Sequence, residues 1–229
     1  GTIVAKNGYG MTIGSTGTGS TITNNKSIIV EDWGVGMELG AGQMAAGVNN
    51  GTITVGAPSD DDDDKYTIGV LVKGAGDATI DQDKVPSTFT NYGTIDAAEG
   101  TAAISIEGQD GSSNQQETNV KVVLAKGSVT KGDINVKETV DKNSNHYGVT
   151  AAIGIDAGAT VEGDIKIEKV TGSEKVAVKI AGMNGVGTVH GALIAEGGET
   201  ELSGELAFEQ VNVAGGKVTL GTKLGGEAS

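Results

Sequence analysis

One phrase recurs along this chain, and it limits the fold more than anything else in the sequence. Asn49-Asn50-Gly51-Thr52-Ile53-Thr54-Val55 returns as Asn91-Tyr92-Gly93-Thr94-Ile95-Asp96-Ala97 and, worn down, as Lys126-Gly127-Ser128-Val129. Asn and Gly tolerate the positive φ of a tight turn, and the β-branched residues that follow alternate as a half-buried strand requires. A second phrase answers the first, running from Gly10 to Gly14, Gly36 to Gly40, Gly69 to Gly74, Ala102 to Gly108 and Ala177 to Gly182. Each copy is a short apolar strand with small residues at its ends. The chain therefore reads as a stack of two-phrase units.

Aligning the first phrase on its hydroxyl residue gives Thr2, Ser27, Thr52, Thr94, Ser128, Thr160 and Thr188, at intervals of 25, 25, 42, 34, 32 and 28 residues. A fixed period in this range marks a repeat architecture, in which a unit buries its apolar face only against its neighbours. The longer intervals hold turn-like, polar insertions near 57–66, 82–90, 109–119 and 138–147. Those at 57–66 and 138–147 are assigned to the end of the first strand, the other two to the end of the second. From 188 to 229 the strands follow one another with Gly pairs and little loop, which predicts narrower coils than those of 1–187.

Equivalent phrases recur singly, without the two-residue hairpins of an antiparallel sandwich, so parallel stacking is expected. Like residues then lie over like. Ile13, Leu39, Val72 and Ile106 should form one inward ladder, and Ile3, Ile28, Ile53, Ile95, Val129 and Val161 another. About nine coils spaced by ~4.8 Å make a rod of ~40 Å. No stretch has an uninterrupted helical apolar face, so the expected class is all-β, a parallel β-solenoid.

Composition supports this and narrows the partners. The chain has 39 Gly and 2 Pro, is 37% hydrophobic and only 3% aromatic, and must build its core from aliphatic residues and Ala. Its formal charge is −14, and all its basic residues are Lys. Phosphate-rich partners need a basic footprint, and Arg provides it best, so neither nucleic acid nor an anionic bilayer surface is expected as a partner. The absence of Cys removes disulfides, thiol nucleophiles and Cys-based zinc sites. Gly1-Thr2-Ile3-Val4 copies the opening phrase, as a piece cut from a longer repeat would.

The alternation of Asn-x-Gly-Thr-Ile-x-Val with Gly-Val-x-Val-x-Gly units, followed by Gly215-Gly216-Lys217-Val218-Thr219-Leu220-Gly221, resembles the passenger region of Gram-negative type V autotransporters. The resemblance implies a right-handed parallel β-helix exported to the cell surface, serving as stalk and adhesive surface. The signal peptide and membrane β-barrel of such proteins would lie outside this chain. On this reading the partner is a glycan or protein of a host or neighbouring cell, with no cofactor and no catalysis. The competing readings are a carbohydrate-active β-helix (a lyase, glycosidase or tailspike-like depolymerase) and a purely structural stalk.

Candidate site residues are few. Tyr9, Trp33, Tyr66 and Tyr147 each precede a second phrase and would stack in a broken column at one corner. Trp33, Tyr66 and Tyr147 are the expected ligand-binding residues, as a platform for a sugar ring; the competing role is packing that plugs the corner. Asp60 to Asp64 form a dense negative loop that lacks the spacing of a folded Ca²⁺ site and reads as a solvated segment. His146 and His190 stand alone, without a second His at metal-binding spacing. No nucleophile elbow, phosphate loop or zinc-protease motif is present.

Overall fold

A computed structural model describes residues 1–14, 19–40, 45–57, 67–73, 86–108, 118–140, 142–171 and 176–221. The described residues contain strands and turns and no helix. The strands stack in parallel into a β-helix with three faces. Each face carries eight levels among the described residues.

The first face starts with Thr2–Lys6, Ser27–Glu31, Thr52–Val55 and Thr94–Ala97. Its inward ladder runs Ile3, Ile28, Ile53, Ile95, Thr130, Val161, Val189 and Phe208. The expected ladder is thus right except at one level. Thr94 pairs with Val129, not Ser128, so Thr130 takes the inward place and Val129 turns outward. The polar side chain is kept inside because Thr130 Oγ1 accepts a hydrogen bond from Asn91 Nδ2 at 3.1 Å. Sequence similarity aligned the hydroxyls, whereas the hydrogen-bonded register decides which side chain faces in.

The second face contains Tyr9–Ile13, Val35–Leu39, Ile68–Lys73 and Ala102–Glu107. Here Ile13, Leu39, Val72 and Ile106 stack as expected, and the ladder continues through Val136, Ile167, Ala195 and Val213. Next to it runs a glycine column, Gly10, Gly36 and Gly69, where successive backbones approach closely. A Cβ on Gly36 would lie 2.5 Å from the carbonyl oxygen of Gly69, and only glycine fits.

The third face was not separated in the two-phrase reading. It comprises Thr21–Asn24, Ala46–Asn49, Ser87–Asn91, Thr118–Leu124, Val149–Asp156 and the later coils. Its early strands are short and weakly apolar, so they pass for loop. Ser87–Asn91 lies partly inside the expected insertion at 82–90, and Thr118–Leu124 takes up the end of that at 109–119. The Ala177 phrase belongs to this face as well, pairing with Thr150 and not with the second-face copies. Its inward ladder is Ile22, Gly47, Phe89, Val122, Ile153, Ile180, Leu202 and Leu220. Leu39 and Phe89, both fully buried, fill the space left by the missing side chain of Gly47.

Between the third and first faces the chain turns sharply, and the corner is closed from within by asparagine. Asn24 Nδ2 donates to Asn49 Oδ1 at 2.8 Å, and Asn49 Nδ2 to Asn91 Oδ1 at 2.8 Å. Each of the three Nδ2 groups also reaches the backbone carbonyl of the residue that opens the next coil's strand, Thr52, Thr94 or Val129. The amides thereby satisfy corner carbonyls that the sheet ladders leave over. In the later coils the register partner of Asn91 is Leu124, followed by Ile155, and the corner becomes apolar.

The last coils are shorter. Val189 pairs with Phe208, nineteen residues on, and Glu199 with Lys217, eighteen on.

Candidate functional site

The connections between faces are distributed unevenly. From the third face to the first, the early turns have two residues each, Asn25-Lys26, Asn50-Gly51 and Tyr92-Gly93. From the second face to the third, six successive connections are long: 14–20, 40–45, 74–86, 108–117, 138–148 and 168–175. The last two at this corner shrink to three residues, 196–198 and 214–216. Segment 138–148 follows Asp133–Lys137 on the second face, so it leaves at this corner and not after the first strand as expected. Only 56–67, which holds Asp60 to Asp64 and Tyr66, leaves at length from the corner between the first and second faces; both features lie outside the described residues.

One of these connections is described nearly throughout. Thr139–Val140 and His146–Tyr147 pair antiparallel as a small hairpin. Glu138 fastens it to the following coil: its Oε1 accepts from the backbone N–H and the hydroxyl of Thr171 at 2.5 and 2.6 Å, and its Oε2 lies 3.2 Å from His146 Nδ1. Thr139 Oγ1 fastens it to the preceding coil by donating to the carbonyl of Gly108 at 2.7 Å. The hairpin is thus tied across three coils.

Along the same edge runs a column of charge, Lys73, Glu107, Lys137, Glu168 and Glu196. Glu107 is buried, and its Oε1 accepts from Ser105 Oγ at 2.8 Å and lies 3.5 Å from Lys137 Nζ. Burial pushes the Glu168 carboxyl above the ordinary carboxylate range; Glu107 and Glu196 push the same way, and Lys137 and Lys166 oppose them. Within this column Glu107 and Lys137 form an ion pair. Among the described residues, no group of His, Asp or Glu is arranged to hold a metal ion.

Beyond the hairpin, the outer surface of the third face carries a groove of about 360 Å³. Thr150 and Ala177, at successive levels, set its floor, because short side chains leave room there. Glu199 and Lys217 continue that row, and Lys179 and Glu201 form the row beside it. The charges pair across levels, Lys179 with Glu201 at 3.2 Å and Lys217 with Glu199 at 3.6 Å. Thr150 Oγ1 is shut away from bulk water without a hydrogen-bond partner.

The structure does not bring Trp33 and Tyr147 to one corner, and Tyr66 lies outside the described residues. Trp33 precedes a second-face strand, whereas Tyr147 precedes Val149–Asp156 on the third face and is buried within the hairpin. Tyr9 pairs in register with Val35, two residues beyond Trp33. Trp33 has a φ of +60°, an unusual backbone for a bulky residue, and its N–H donates to Thr67 Oγ1 at 3.2 Å. His146 belongs to the hairpin tie, and His190 stands exposed on the first face in register with Glu162. The groove residues were not singled out in the sequence. Their signal, Glu199-x-Glu201 facing Lys179 and Lys217, exists only once the register of the narrow coils is known.

No family model, curated protein or solved structure matches this chain.

Proposed function

We propose that this chain is a non-catalytic adhesive rod, a passenger segment of an autotransporter-type surface protein that binds a glycan or protein of a host or neighbouring cell. The observation that carries this reading is the run of six long connections leaving one corner at successive levels. A stiff stack spaced by ~4.8 Å per coil holds such segments in line, and variable segments on a regular scaffold are where recognition concentrates. Contacts that are weak singly add up when a surface presents many copies. The turns between the third and first faces, two to four residues long, leave that corner bare, as a one-sided binding edge requires.

The test is capture of the soluble chain on glycan and cell-surface receptor arrays, beside a variant in which 109–117 is replaced by a short Gly-Ser turn. Binding that falls at least tenfold in a variant with unchanged circular dichroism supports the reading. A chain that instead degraded a polysaccharide, and lost that activity on changing a carboxylate pair, would establish the enzymatic alternative. The carboxylates that share a column offer that alternative little, since Glu107 is buried and Lys137 stands between it and Glu168.

A further inference from the structure

The groove on the third face has a chemistry of its own. We infer that it is a subsite for an uncharged sugar unit, which deepens the adhesive reading and rests on it. Three observations lead there. The volume, about 360 Å³, lies at the small end of ligand pockets and suits one or two sugar rings. The walls are polar but balanced: each Lys is matched by a Glu at 3.2 or 3.6 Å, so the groove presents donors and acceptors with no net charge. The floor is set by Thr150 and Ala177, whose short side chains leave room for a sugar ring.

The balance of charge selects the class. An anionic sugar would meet the field of a chain with a formal charge of −14 and would have to break an existing ion pair to reach a Lys. A cationic group would be drawn by that field but would have to displace Lys179 or Lys217 from its ion pair to reach a carboxylate. A neutral sugar takes hydrogen bonds from the outer faces of both pairs and leaves them intact. No aromatic side chain lines the groove, so the apolar stacking that strengthens many sugar sites is missing and a Kd on the order of 1 mM is expected. That is the range in which an edge presenting many weak contacts works by multivalency. The position fits as well, because Thr150 is the second residue of the strand that leaves the hairpin.

The experiment is an amide chemical-shift titration of the full chain with lactose, cellotriose and chitotriose, and with 3′-sialyllactose as the charged counterpart of lactose. At least one neutral sugar is expected to move the resonances of Thr150, Ala177, Lys179 and Glu201. Two variants follow: Lys179→Ala with Glu201→Ala, which removes an exposed pair together, and Ala177→Trp, which fills the floor from outside the core. Each should weaken binding at least tenfold while circular dichroism and Tm stay as in the parent chain. Binding of a neutral sugar with shifts confined to other residues would overturn the groove and leave the loop-edge reading standing. Sialyllactose binding tenfold more tightly than lactose would overturn the neutral class. Absence of shifts with every neutral sugar up to about 10 mM, tenfold above the expected Kd, would overturn the inference outright. Array capture of the chain by a cell-surface protein in that last case would preserve the adhesive function without the sugar subsite.

Discussion

Asn49 Nδ2 donates to Asn91 Oδ1 at 2.8 Å inside the β-helix, although the two residues stand 42 positions apart. The bond is one rung of a ladder that begins at Asn24, and it closes a corner which backbone pairing alone leaves short of donors. Replacing Asn49 by Ala removes the donor to Thr94 O and Asn91 Oδ1 together with the acceptor for Asn24 Nδ2. Leaving buried polar groups unpaired costs about 1–3 kcal/mol each, partly offset here by the second bonds that Asn24 and Asn91 keep. Asn49→Ala should lower the unfolding free energy in urea by about 2–3 kcal/mol. Asn50→Ala, one residue on and exposed, should change it by less than about 0.5 kcal/mol.

Two glycines separate close approach from mere turn chemistry. Gly36→Ala forces a Cβ to within 2.5 Å of Gly69 O and 3.0 Å of both Ile53 Cγ2 and Val30 Cγ2. None of these can retreat without moving a ladder, and a loss of about 1–3 kcal/mol is expected from overpacking. At Gly14 an added Cβ meets nothing within 4 Å, so Gly14→Ala should be neutral or stabilise by up to about 1 kcal/mol through the unfolded chain. Thermal unfolding of the two variants side by side checks the contrast.

Stability should depend on pH through Glu168. Its carboxyl binds a proton more tightly in the folded chain than in the unfolded one, where its ordinary value is 4.5. A raised carboxylate pKa means that the folded state is penalised once the group ionises: the penalty is absent below 4.5, grows as pH rises towards the folded value, and is complete above it. Glu168→Gln removes the charge. The variant should be more stable than the parent at pH 7, by less than about 1 kcal/mol because the group is partly exposed, and the advantage should vanish below about pH 4.5. A variant less stable at pH 7 would mean that the attraction of Lys137 and Lys166 outweighs burial.

Trp33 and Phe89 should answer differently to truncation. Phe89 is fully buried over Gly47, so Phe89→Ala should cost about 3–5 kcal/mol. Trp33 is half-buried at φ +60°, a conformation that Asn adopts more readily, and the first coil has Asn7 at φ +51° ahead of its own second-face strand. Trp33→Asn exchanges partial apolar burial for relief of backbone strain and should shift stability by less than about 1 kcal/mol. A loss above about 3 kcal/mol would make Trp33 a packing residue and remove it from the candidate ligand-binding set. Array binding of the same variant then shows whether the exposed part of the ring touches a ligand.

How far the sequence could be read follows from what each signal encodes. The ladders Ile13–Leu39–Val72–Ile106 and Ile3–Ile28–Ile53–Ile95 were legible because large aliphatic residues repeat at those places and at few others. The third face was not, since Thr21–Asn24 and Ala46–Asn49 contribute only Ile22, Gly47 and the amide of an Asn to the interior. Thr130 was misplaced by one residue for a related reason: a hydroxyl at position 128 mimics the repeat, while the inward place belongs to the side chain that Asn91 can bind. The aromatic column failed because Trp33 and Tyr147 precede strands of different faces, which a two-phrase unit cannot distinguish.

The sequence by itself determined the architecture of this protein: parallel coils, aliphatic ladders, a period near 25 and insertions that interrupt it. These follow from local propensity and from the requirement that each unit bury its apolar face on the next, and both are written in residue order. Only the tertiary structure decided that there are three faces, that the long connections share one corner, and that Thr150, Lys179 and Glu201 meet around a groove. Those relations depend on which residues lie one coil apart, and insertions of unequal length change that distance along the chain while leaving it constant in space.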